Sequence, residues 1–291
     1  MNKMQKIKER IEINLPYIRK TVYSLAMGLL SVLGIFFTII PIGTEKFGIN
    51  QRIFLILLVL LIAFLVVIVK VFLKNEVIVK NYDNKRLKVS YGDLMQVAFH
   101  SDNKKKIVVI PVNRCFDTIV DDKLIERGSL HGQWVKECLL DGMSIQELDV
   151  KIEQALQNAK YENLTNHEKK LGKLKRYPLG TIVEIKGSNN TIFYLIALTW
   201  LDENLKAHCD RYEYFRCLQC LIDHYGTYGH IAPIYIPTMG CGLARVDLNL
   251  CEAVEAMLTI WKINSEKMQG DVNIIVYEKQ KNVLSIADFK K

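Results

Sequence analysis

The chain has no internal repeat and no low-complexity segment, which excludes a solenoid and leaves no stretch whose composition forbids a packed core. Cys217-x-x-Cys220, with His208, Cys209 and His224 nearby, resembles half of a zinc site, yet no second Cys/His pair with ligand spacing exists to complete it. The segment Asn204–Tyr225 reads as a helix on which Cys217, Cys220 and His224 share one face, so core cysteines are expected and no metal. Seven cysteines are an odd number, and reduced thiols are expected. A basic excess is also missing where a nucleic-acid surface would need it. Residues 1–80 hold eleven Lys/Arg against four Asp/Glu, whereas the remainder holds 28 against 27. The net charge of +8 therefore sits almost wholly in the N-terminal part, and nucleic acid is not an expected partner.

Two long apolar segments are present instead. Thr21–Ile40 contains no charge, and Ile53–Val69 is seventeen consecutive apolar residues followed by Lys70 and Val71–Leu73. At ~1.5 Å per residue, either helix covers a hydrocarbon core of about 30 Å. Ser24, Gly28 and Ser31 give the first a small-residue face, while the second has no polar residue before Lys70, which can snorkel to a boundary. Neither looks like an ion pathway. Lys3, Lys6, Lys8, Arg10, Arg19 and Lys20 precede the first span, and Lys70, Lys74, Lys80, Lys85, Arg86 and Lys88 follow the second. The connecting loop Pro41–Arg52 carries only Lys46 and Arg52 against Glu45. Positive-inside bias predicts a lipid-embedded, multi-pass hairpin with both termini cytoplasmic. The 20-residue leader, the absence of a small-residue cleavage site and the second span argue against a signal peptide. The predicted organisation is a basic segment over 1–20, a hairpin over 21–73 with helices near 21–40 and 53–73, and a cytoplasmic domain over 81–291.

Within that domain, alternation over Val77–Ser90 suggests a hairpin around Asp83-Asn84, and Lys106–Val112 suits a buried strand. Gly132–Leu140 and Ser144–Asn158 read as helices, the latter opened by a Ser144-x-x-Glu147 capping box. Thr165–Pro178 reads as a basic surface crossover. Strands are expected at Thr181–Lys186 and Thr191–Trp200 around Gly187-Ser188-Asn189-Asn190, at Ile231–Pro237 and at Val272–Tyr277, with a helix at Leu248–Asn264. Strands alternating with helices predict a sandwiched α/β sheet.

Ligands in such sheets sit outside the carboxyl ends of the strands. Three segments stand there: Asn113-Arg114-Cys115-Phe116-Asp117, Arg127-Gly128-Ser129-Leu130-His131-Gly132 and Thr238-Met239-Gly240-Cys241-Gly242-Leu243. The last two precede helices. Glycine lets backbone N–H groups turn toward an anion, and a helix N-terminus adds partial positive charge. Two facing loops of this kind suit a diphosphate, although glycine turns at strand–helix junctions also serve packing alone.

Ile110-Pro111-Val112-Asn113, the Gly128–Gly132 loop and Pro237–Leu243, with Tyr91-Gly92-Asp93-Leu94 ahead of them, resemble the ordered signature segments of macro domains over about residues 87–280. The resemblance implies a three-layer α/β/α sandwich with a mixed sheet, here preceded by two transmembrane helices. A macro domain on a membrane hairpin further resembles the effectors of type II Thoeris antiphage defence. The implied ligand is an ADP-ribose derivative, a histidine conjugate made from NAD by a partner TIR enzyme, with no cofactor. The implied setting is a bacterial inner membrane, and the implied output is self-association and membrane disruption.

Carried over by position, Asp93 beside Leu94 contacts adenine or closes a Gly-Asp turn. Asn113 faces the distal ribose or acts as a local cap. Gly128, Ser129, Leu130 and Gly132 bracket the diphosphate with Thr238, Met239, Gly240, Cys241, Gly242 and Leu243. His131 bonds a phosphate or begins a helix, and Tyr277 stacks on adenine or packs in the core. Hydrolytic members carry three glycines in the first loop and a second asparagine after the strand. Here Gly128-Ser129-Leu130 and Arg114–Asp117 replace them. Asp117 could activate water and Cys115 or Cys241 could act as nucleophile, but none has a base at readable spacing. A sensor is expected; the alternative is a membrane-anchored ADP-ribosyl hydrolase.

Overall fold

The computed structural model describes residues 3–39, 49–100, 102–240 and 246–290. The chain divides into two compact units, Met1–Val77 with Gln280–Lys291, and Ile78–Lys279.

The first unit is built on three helices, α1 (Lys3–Ile13), α2 (Leu15–Ile39) and α3 (Ile49–Leu73). Pro16 lies in the first turn of α2, where a missing N–H costs nothing. Leu15–Ile35 and Ile53–Leu73 are each long and apolar enough to cross a membrane. The expected connection Pro41–Arg52 lies largely outside the described residues. Ile18, Val67 and Val71 form a small apolar seam, while Phe54, Leu57 and Leu65 stay exposed. The basic leader over 1–20 carries α1 and the first turn and a half of α2. Its Arg10 guanidinium donates to the carbonyls of Val71 and Phe72 at 3.2 and 3.0 Å, satisfying acceptors that the end of α3 leaves open. Residues 280–291 group with these helices rather than with the strands. Ser285 donates to the buried Asn14 side chain at 2.7 Å, and Ile286–Phe289 form a 3₁₀ turn with Ile286, Ala287 and Phe289 buried.

The second unit carries β1 (Glu76–Tyr82, shared with the junction), β2 (Lys85–Gly92), α4 (Leu94–Phe99), β3 (Lys106–Asn113), α5 (Leu130–Leu140), α6 (Ile145–Leu156), β4 (Glu162–Asn163), β5 (Lys175–Arg176), β6 (Ile182–Lys186), β7 (Thr191–Leu201), β8 (Ala207–His208), α7 (Arg211–Tyr228), β9 (Ile234–Pro237), α8 (Leu250–Ile263) and β10 (Val272–Tyr277). The main sheet runs β1-β2-β10-β9-β3-β7-β6, with β8 pairing β7. Strands β2, β10, β9, β3 and β7 are parallel to one another, and β6 joins β7 antiparallel. The sheet is mixed, as expected. β3 is buried on both faces, which is why it reads as a nearly unbroken Ile-Val run. Val108, Ile110 and Val112 face a core with α4, α5 and α6, including Trp134 against Phe193 at 5.6 Å. On the other face Tyr194 meets His224 of α7, and Tyr225 packs on Trp261 of α8 at 5.7 Å. Helices thus cover both faces of the sheet.

Local chemistry explains the boundaries. Asn189 and Asn190, with φ of 52° and 54°, make the left-handed turn between β6 and β7. Asp210 and Glu213 form a reciprocal capping box that starts α7 at Arg211, later than the expected Asn204. The freed residues 204–210 hold β8 instead. The short helix α4 was not anticipated; Asp93 caps it. Thr165–Pro178 is not wholly a surface crossover, because Lys169 within it is fully buried.

Candidate functional site

Because five strands run parallel, their carboxyl ends share one edge. At that edge β2 ends in Gly92, which pairs with Tyr277 at the end of β10. Asp93 and Tyr277 are therefore neighbours through the backbone ladder. The Asp93 carboxylate accepts the Met95 N–H at 2.8 Å and so caps α4. Tyr277 is 40% exposed rather than a core residue, and Lys279 sits 5.4 Å over its ring. A hydrogen bond to that tyrosine holds the Lys279 ammonium above its ordinary range, with Asp93 adding a smaller attraction.

One strand further, β9 runs into the glycine loop. Thr238 donates to Ile275 at 3.0 Å, and Met239 is buried. Gly240 has φ of +92°, a conformation that side chains resist, and a Cβ there would stand 3.1 Å from the Tyr214 ring. Cys241, Gly242 and Leu243 lie outside the described residues.

The register between β3 and β7 slips by one between Val112 and Asn113, where Asn113 pairs with Thr199. Such a bulge re-aims the side chain at the strand end. Asn113 is buried, and its side-chain Oδ1 accepts the N–H groups of Cys115 at 3.0 Å and Asp117 at 3.4 Å. Its local-cap role is thus present. The Asp117 carboxylate is directed into the 165–173 segment, bonding Lys169 Nζ at 2.7 Å and the Lys173 N–H at 2.8 Å. Burial raises the Cys115 thiol above its ordinary range.

Helix α5 runs back along β3, with Trp134 against Phe193 and Glu137 near His100, so its N-terminus points to the same edge. Ser129 caps it through Gly132 N–H at 3.0 Å and donates to Glu126 at 2.6 Å, while Gln133 holds the Gly128 carbonyl at 2.9 Å. Gly132 is sterically required: a Cβ would lie 2.4 Å from the Glu126 carbonyl. Leu130 packs on the core and His131 is buried beside Trp134. Burial, and to a lesser degree Lys173, pushes the His131 imidazole down to about 3, so it is neutral at physiological pH.

The arrangement gathers Asp93, Tyr277, Thr238–Gly240, Asn113 and the α5 N-terminus at one edge, and turns Asp117 away from it. Among the described residues no group of three His, Cys, Asp or Glu side chains is placed to hold a metal. Sequence reading missed Trp200 and Arg211 and noted His208 only beside an incomplete zinc site; all three line a cavity of about 490 Å³ at the end of β7. The Asp210-x-x-Glu213 pattern, the same device recognised at Ser144, was the available signal.

The chain is 27% identical over 270 residues to Thoeris protein ThsA of Bacillus amyloliquefaciens (strain Y2), covering 87% of this chain and 86% of that protein. Among solved structures, a point mutant of the Oceanobacillus iheyensis macrodomain solved with ADPR is similar at 13% identity, covering 74% of this chain and 96% of that one, with a TM-score of 0.49. The same macrodomain solved with ADP is similar at 13% identity, covering 74% and 94%, with a TM-score of 0.48. The family described as "Thoeris protein ThsA, Macro domain" matches residues 87–277, and the chain belongs to that family.

Proposed function

We propose that this protein is a membrane-tethered receptor–effector of antiphage defence. Its macro domain binds an ADP-ribose derivative, a histidine conjugate supplied by a TIR-domain enzyme. Both termini lie in the cytoplasm of a bacterial cell, on the inner face of the membrane, as the flanking lysines and arginines suggest. Ligand binding favours self-association, and the crowded hairpins disrupt the bilayer. The observation that carries this reading is one chain joining a macro domain of the Thoeris family to two apolar helices that have no polar pathway of their own. A ligand shifts such an assembly only by its differential affinity for the two states, so the coupling is a binding equilibrium.

In this reading the protein binds without turning its ligand over. The pairing of Asp117 with Lys169 and the raised, buried Cys115 thiol support that view, since neither is prepared to attack. Incubating the full chain with O-acetyl-ADP-ribose should release no ADP-ribose; steady release would establish the hydrolase alternative. The central test is dye leakage from liposomes carrying the full chain. Leakage is expected only with the histidine conjugate present, together with a larger assembly by light scattering. Leakage independent of ligand, or none at all, would refute the proposal.

A further inference from the structure

Strand β1 ends the main sheet: β2 flanks it on one side, and among the described residues no strand flanks it on the other. The two-residue turn Asp83-Asn84, with Asp83 at a φ of 49°, closes the hairpin by setting Tyr82 against Lys85. Along β1 the even-numbered residues therefore bond toward β2, and the N–H and carbonyl groups of Val77, Val79 and Asn81 point outward. Apart from the ladder to β2, none of Val77–Tyr82 makes a backbone hydrogen bond among the described residues. The side chains alternate as well. Val77 is buried, while Glu76, Ile78 and Lys80 share the opposite, exposed face, with Ile78 38% exposed. Lys80 Nζ stays on that face, 4.9 Å from the Tyr82 ring.

Native sheets blunt such edges with proline, a bulge or an unmatched lysine. β1 has seven residues with neither proline nor glycine, and its one lysine is matched. Glu76-Val77-Ile78-Val79-Lys80 is its own antiparallel complement. A second copy centred on Ile78 sets Ile78 opposite Ile78 of the partner, Val77 opposite Val79 of the partner, and Glu76 opposite Lys80 of the partner, each unlike pair occurring twice by symmetry. In that register the outward groups of Val77 and Val79 exchange hydrogen bonds with the partner's. Glu76, Ile78 and Lys80 then fall at the non-hydrogen-bonded positions, where cross-strand side chains come closest. Backbone phase, apolar centre and charge all agree on one register. We infer that β1 is the interface between two copies of this chain, joining their sheets edge to edge about a two-fold axis through Ile78. The inference rests on the self-association in the proposed function and names the surface through which it occurs.

The test is the assembly midpoint of the full chain in detergent, followed by light scattering with histidine-conjugated ADP-ribose present. Glu76→Lys and Lys80→Glu each set two like-charged pairs across the two-fold axis and should raise the midpoint concentration about tenfold. The double variant restores both pairs with their signs exchanged and should return to within about twofold of the parent. Both side chains are exposed, so the changes spare the fold, and thermal melts of all three variants should match the parent's. Single variants that assemble as the parent does, or a double variant as weak as the singles, would overturn the β1 interface while leaving self-association standing. A parent chain that stays monomeric with the conjugate would overturn the self-association of the proposed function and this interface with it.

Discussion

Lys169 has no exposed side-chain surface, yet it lies in a segment whose composition reads as solvated crossover. Its partner Asp117 is 52 positions earlier, a distance over which local pattern carries no information. Burying one member of such a pair without the other leaves a bare charge in low dielectric. Lys169→Met should therefore lower stability by ~3–5 kcal/mol, and the double variant with Asp117→Asn should recover part of it. Thermal unfolding of the full chain measures both. His131 makes a second prediction at this scale. An unfolded histidine titrates near 6.5 and this buried one near 3, so the unfolded chain takes up the proton first. The stability tied to its neutral form is complete above about pH 6.5 and is lost progressively as the pH falls toward 3. Denaturation followed against pH should show that acid limb, and His131→Leu should flatten it.

At the scale of elements, the strands were the most legible part, because β3 and β10 are parallel, doubly covered and mostly apolar. Helix starts were legible only where their capping residues were used. Ser144 was, and α6 begins where it says; Asp210 was passed over, and the cavity beside it was hidden inside an imagined helix. Site residues at strand ends follow from topology alone, which is why Asp93, Asn113, Gly240 and Tyr277 fall on one edge. The β2–β10 register that aligns Gly92 with Tyr277 is pinned at its other end by Asp271. That carboxylate accepts the Arg86 N–H at 2.8 Å and pairs with the Arg86 guanidinium at 2.8 Å and Lys88 Nζ at 3.0 Å. Burial pushes its acidity toward weaker values, and the hydrogen bonds from Arg86 and Lys88 outweigh that, leaving it below the ordinary carboxylate range. Asp271→Ala should cost ~1–3 kcal/mol through the donors it strands. Ligand affinity should fall as well if the register slips, a result that titration calorimetry reads independently of the melt.

For the whole molecule, the steric demand at Gly132 links loop geometry to recognition. Gly132→Val should push the Glu126 carbonyl away, costing ~1–3 kcal/mol by overpacking and moving the cap of α5 out of place. Binding of the ADP-ribose probe should be lost at temperatures where the chain remains folded. Removing residues 280–291 is predicted to act in the opposite way. It takes Ser285 from Asn14 and strips Ile286, Ala287 and Phe289 from the helical unit, yet leaves the strand edge whole. Nucleotide affinity should persist while protease resistance of the first eighty residues drops.

The same tail sets an order of events. A ribosome delivers Asn14 and the helices first, then the strands, and Ser285, the partner of Asn14, only after them. Domains generally fold as units, N-terminal first, during synthesis. Here the amino-terminal unit lacks its Ser285–Asn14 contact until residues 280–290 follow the strands, so the helical unit is completed only after the macro domain has been made.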